Sequence, residues 1–78
     1  MPSAPPPDDW VLARRRDIGE QIRSVRRAAG LTQERLAERS GIDRQSINRI
    51  EQGHAAAYID NLVRIAYALD VPLADLVR

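Results

Sequence analysis

The chain is expected to fold as an all-α domain of five helices. Three observations carry that expectation. Apolar residues recur at helical spacing, no segment alternates with the period of a strand, and three of the four glycines fall where helices should stop. At 78 residues there is room for one domain. The balance of 44% hydrophobic and 29% charged residues is that of a packed globular chain. A domain this small, with no cysteine to cross-link it, must rely on well-packed helices and often on a partner subunit.

Residues 1–8 read as a flexible Pro-rich tail, because four of the first seven residues are proline. The folded domain is assigned to residues 9–78. Asp8 or Asp9 can cap a first helix that runs to about Ala29. Its apolar positions are Val11, Leu12, Ile18, Ile22 and Val25, with Gly19 a weak point inside it. Gly30 supplies the left-handed residue past its end. Thr32 caps a second helix, Gln33 to Ser40, with Leu36 and Ala37 inward. Gly41 marks a sharp turn, and Asp43 caps a third helix from Arg44 to Gln52, closed by Gly53. A fourth helix, about Ile59 to Leu69, is expected to bury Leu62, Val63, Ile65, Ala66 and Leu69. Pro72 fits the first turn of a short fifth helix with Leu73, Leu76 and Val77 apolar.

Residues 32–52 form the most informative unit: a short helix, a glycine turn and a second capped helix. At roughly 100° per residue, Arg44, Asn48, Gln45 and Arg49 share one face of the third helix, while Ile47 and Ile50 point the other way. Arginine can bond guanine O6 and N7 in two prongs, and glutamine or asparagine can pair with adenine N6 and N7. An α-helix bearing those groups fits the major groove. On any other helix the same residues would be an ordinary solvated face; the turn before them favours base reading. The free N–H groups at the start of the second helix favour a phosphate there, near Thr32, Gln33 and Arg35. The charge distribution agrees. Residues 10–53 hold ten arginines against six acids, although the whole chain carries only +1.

Residues 18–77 resemble the XRE, or Cro/phage-repressor type, helix-turn-helix family. The resemblance rests on Gly30-Leu31-Thr32-Gln33, Leu36-Ala37, Gly41-Ile42 and Ser46-Ile47 with Ile50-Glu51-Gln52-Gly53, and continues through Asn61–Val77. It implies a five-helix, lambda-repressor-like fold and a repressor-type homodimer on double-stranded operator DNA. It places the helix of residues 44–52 in the major groove, with Arg44, Gln45, Asn48 and Arg49 facing the bases and Gln33 facing phosphate. It also implies a structural ion pair between Arg26 and Glu51. The sequence departs from the pattern at three places. The loop His54-Ala55-Ala56-Ala57 lacks the basic residues common there. Tyr58 stands where a serine-like cap is usual, and the first helix extends N-terminally through Trp10-Val11-Leu12 and Arg14-Arg15-Arg16. Trp10, Val11 and Leu12 are expected to pack on the fifth helix, within the subunit or across a dimer. The arginine run is read as a solvated face, with DNA backbone contact the alternative.

Catalysis is not expected. His54 is the only histidine and cysteine is absent, so neither a metal site nor a cofactor is anticipated, and the single glycines make no phosphate loop. No apolar run is long enough for a membrane span, and no secretory signal is read, so a cytoplasmic, nucleoid-associated protein is expected. Two other readings share the DNA-binding unit. One is an antitoxin or other module that binds a protein partner and represses its own promoter. The other is a controller protein for restriction–modification genes.

Overall fold

A computed structural model describes residues 8–78. The proline-rich stretch of residues 1–7 lies outside the described residues. The helices are α1 (Asp9–Ala28), α2 (Gln33–Ser40), α3 (Arg44–Glu51), α4 (Ile59–Leu69) and α5 (Ala74–Val77), with no strand among the described residues. Among the described residues no helix is long and apolar enough to cross a membrane.

Local chemistry sets the boundaries. The Thr32 hydroxyl accepts the Arg35 N–H at 3.1 Å and starts α2, and the Asp43 carboxylate accepts the Ser46 N–H at 2.9 Å and starts α3. Gly41, at φ 74°, turns the chain between them without the Cβ strain another residue would meet. Buried Ser40 reinforces this turn: its hydroxyl donates to the Ala37 carbonyl and accepts the Ile42 N–H. Asp8 precedes α1 in extended backbone, but its side chain makes no capping bond. At the far end of α4, Asp70 takes the left-handed conformation, φ 57°, that glycine usually supplies.

Five fully buried side chains, Ile22, Leu36, Ile47, Ile65 and Leu76, come one from each helix and define a single core. Ile42, Ile50, Ala66 and Leu69 complete it. Helix α2 packs on α3 and α4, and α1 packs on α3 and α5. Gly19 permits the second arrangement. A Cβ there would sit 2.5 Å from the carbonyl oxygens of both Ile50 and Glu51, so the backbones of α1 and α3 nearly touch. The glycine that looked like a flaw in a helix is the crossing point of two.

Three expectations need correction. Val63 is 49% exposed, not buried, because α4 carries apolar residues on two faces and the core uses only that of Leu62, Ile65, Ala66 and Leu69. The final helix begins at Ala74; Pro72 lies before it and its carbonyl accepts the Asp75 N–H. Trp10 does not seat on α5. It is 71% exposed and borders an apolar groove of about 350 Å³ floored by Ile18, Ile50 and Leu62 and walled by Ala55–Ala57. One contact from the arginine run does reach α5: the Arg14 guanidinium donates to the Val77 carbonyl. Arg16 lies against Gly53, and Arg15 lines the groove beside Trp10, so the run is spread around the helix instead of forming one basic face.

Candidate nucleic-acid interface

Helix α3 is fixed along its inner side by Ile47 and Ile50 and leaves Arg44, Gln45 and Arg49 exposed on the outer side. Asn48 is half-buried at the edge of this face. Its Oδ1 accepts a bond of 3.1 Å from the Gln33 side-chain amide. The same Gln33 Nε2 lies 3.1 Å from Glu51 Oε1, so the first residue of α2 holds two residues of α3. Thr32 and Arg35 are exposed beside Gln33, and Arg35 has only a surface pair with Glu38 at 3.3 Å, a contact worth little in water.

Behind this surface, Arg26 and Glu51 form a buried two-pronged ion pair. Nε to Oε2 is 2.6 Å and Nη2 to Oε1 is 2.9 Å. The remaining arginine nitrogen, Nη1, donates to the Leu31 carbonyl at 2.8 Å. One guanidinium therefore ties α1, the loop before α2 and the end of α3. Its hydrogen bonds are satisfied inside the protein, which offsets the desolvation that a buried charge pair costs. The effect is to set α3 at one angle to the start of α2.

Two residues that sequence reasoning passed over join the interface. Arg23 and Arg27 are exposed on the last turns of α1 and line a polar cleft of about 310 Å³ with Gln33, Asn48 and Gln52. Their i, i+4 spacing around buried Arg26 was the available signal. The cap of α3 is electrostatically settled as well. The Ser46 hydroxyl, at 2.7 Å, and the Ser46 backbone N–H both donate to Asp43 and hold its carboxyl below the ordinary aspartate range. The loop after α3, residues 53–57, carries no arginine or lysine. Among the described residues no cluster of His, Cys, Asp and Glu could hold a metal ion.

A family model described as Helix-turn-helix matches residues 22–76. An HTH-type transcriptional regulator of Sinorhizobium fredii is 35% identical over 63 residues, covering 81% of this chain and 82% of that protein. A putative HTH-type transcriptional regulatory protein of Pyrococcus furiosus is 36% identical over 55 residues; the chain spans 18% of its length. The crystal structure of the restriction-modification controller protein C.AhdI from Aeromonas hydrophila superposes with a TM-score of 0.81 at 36% identity, covering 82% of this chain and 97% of that one. With the family match running from the middle of α1 to α5, the chain belongs to the XRE type of the helix-turn-helix family.

Proposed function

We propose that the chain is a sequence-specific DNA-binding transcriptional regulator, of repressor type, acting as a homodimer on double-stranded DNA in the cytoplasm. The observation that carries this is the outer face of α3. Arg44, Gln45 and Arg49 stand exposed on a capped helix whose other side is locked into the core. Rigid elements deliver a hydrogen-bonding face to base edges with little ordering cost.

Asn48 joins that face through its amide N–H groups. Its Oδ1 has a second lone pair, so the bond from Gln33 and a base contact can coexist. The N-terminus of α2, with Thr32, Gln33 and Arg35, receives a phosphate. Arg23 and Arg27 extend the phosphate track along α1. The phosphate contacts set register, and α3 reads sequence. Arg26 and Glu51 act behind this surface as a structural brace.

The likeness to C.AhdI, over 97% of that chain, supports a second reading within the same mechanism: a controller of restriction–modification genes. Selection from random duplex DNA, followed by sequencing of what is retained, tests the function. A two-fold motif with half-sites about one helical turn apart is expected. Gln45→Ala or Arg49→Ala should then cost about 1–3 kcal/mol on the selected site and relax preference at one base pair. Equal losses on selected and random DNA would overturn the base-reading assignment.

A further inference from the structure

Two features that set this sequence apart, the N-terminal extension of α1 and the alanine loop after α3, face each other across the apolar groove of about 350 Å³. Trp10, Val11, Arg14, Arg15 and Ile18 form one wall, at the spacing that keeps i, i+4 and i+8 on one side of a helix. Ala55, Ala56 and Ala57 form the other, and their single methyl groups leave open the space that longer side chains would fill. Ile50 of α3 and Leu62 of α4 contribute to the floor. The lining includes no acid. Its two cations differ. Arg14 is engaged, its guanidinium donating to the Val77 carbonyl. Arg15 is half-buried beside Trp10 and forms no salt bridge with any described residue.

We propose that this groove is a binding site for a small amphipathic carboxylate, with an alkyl chain along the groove and the carboxylate on Arg15. The size fits one small molecule: cavities that hold such ligands run from ~300 to ~1,000 Å³, mostly apolar with a few polar groups that fix orientation. The chain would lie on Ile18, Ile50 and Leu62, with the Trp10 ring as a side wall. Charge selects the head group. An amphipathic cation meets two arginines, and an uncharged chain leaves the Arg15 guanidinium without a partner. A carboxylate accepts two parallel N–H bonds from one guanidinium, which a chain alone cannot do. The site is separate from the base-facing surface. Ile50 points inward from α3, so a molecule in the groove touches that helix from behind and leaves Arg44, Gln45 and Arg49 open.

Octanoate is the probe, with acetate supplying the head group alone and octanol the chain alone. Trp10 is the only tryptophan, so its emission reports on the groove directly. Octanoate, below the concentration at which it forms micelles, should shift that emission to the blue and saturate. Acetate at the same concentration and ionic strength should not. Affinity should rise by up to about fourfold for each methylene added from butanoate to octanoate, the factor that burial of one CH₂ group supplies. Arg15→Met keeps the apolar stem and removes the charge. It should weaken octanoate about tenfold, the lower end for a hydrogen bond to a charged group, and leave octanol unchanged. A thermal melt of the variant verifies that it folds. Backbone amide shifts in NMR locate the ligand: Ile18, Ile50 and Ala55–Ala57 should move together. Shifts centred instead on exposed Ile59, Val63 and Tyr67 would overturn the proposal, because they would mark loose adsorption to α4. So would the lack of any saturable change, an affinity indifferent to chain length, or octanoate binding to folded Arg15→Met as tightly as to wild type.

Discussion

Gly19→Ala sets two physical effects against each other, and the structure decides which wins. In an isolated helix alanine is better than glycine by about 1 kcal/mol. On propensity alone the substitution should stabilise α1. The added methyl, however, would lie 2.5 Å from two carbonyl oxygens, those of Ile50 and Glu51, and 2.9 Å from the Glu51 carbonyl carbon. Ordinary C–H···O contacts begin near ~3.3 Å. The crossing must therefore open by about 0.8 Å, and the opposing atoms are helix backbone, which cannot swing aside as a side chain would. Opening it also stretches the Arg26–Glu51 bond, now 2.6 Å, because its partners sit on the two separating helices. Overpacking of this kind costs about 1–3 kcal/mol. With rigid backbone on both sides the upper end applies, so the net loss is about 2 kcal/mol after the propensity gain is subtracted. For a domain of this size that lowers Tm by about 8–16 °C. Far-UV circular dichroism melts of Gly19→Ala and of Ala13→Gly, on the exposed side of the same helix, make the comparison. Both should melt below wild type, Gly19→Ala by more. A Gly19→Ala protein that melts at or above wild type would refute the close approach of α1 and α3.

Four other expectations follow from the same contacts. Arg26→Ala strands a buried carboxylate and should cost about 3–5 kcal/mol, while Arg26→Met with Glu51→Leu should recover most of that stability; melts in which the double variant is no better than the single would remove the charge-burial argument. Asp43 should titrate below the ordinary aspartate range. The stability it contributes is thus present above its unfolded pKa and is lost as pH falls through the lower folded value; Ser46→Ala should raise the Asp43 pKa in an NMR titration, and an unmoved pKa would refute the hydroxyl's role. Asp70→Gly removes both a left-handed non-glycine residue and an acid at the C-terminus of α4, so it should raise stability by up to about 1 kcal/mol; a lowered Tm would count against that reading. Arg27→Ala should weaken binding about equally on selected and random DNA and reduce the salt slope of log K by about 0.9; an unchanged slope would take Arg27 off the phosphate track.

What could be read from the sequence was what local chemistry determines. Thr32 and Asp43 cap their helices because short oxygen-bearing side chains reach the free N–H groups two or three residues on. Gly41 turns the chain because a left-handed residue is needed there. Positions decided by a distant neighbour were not legible. Val63 and Leu62 are equally apolar, and nothing in α4 says which face meets α2. Gly19 differs from a weak helix residue only through α3, which follows about thirty residues later. Trp10 lies on the first turn of α1 and faces the loop after α3 rather than α5, a distinction helical periodicity cannot make. The Gln33–Asn48 bond joins residues fifteen apart, so the constraint on one face of α3 from the start of α2 is a product of folding.

These long-range contacts converge on α3. Its inner face is held by Ile47 and Ile50, its last residue by Arg26 and Gln33, its last carbonyl oxygens by the crossing at Gly19, and Gly53, two residues beyond it, by Arg16. An eight-residue helix is marginal by itself. Here it is fixed from three directions, so its outward face has one orientation before any ligand arrives. Mutations far from the base-facing residues should therefore divide by which support they touch. A loosened core, such as Leu76→Ala, lowers stability but leaves the folded fraction's base preference intact. A loosened brace, such as Glu51→Gln, leaves the buried Arg26 charge without its counter-charge, so it should lower Tm and, unlike a core change, also tilt α3 and blur the folded fraction's base preference. If Glu51→Gln loses stability while keeping its full base preference, the buried pair serves only the fold and α3 takes its aim from the core alone.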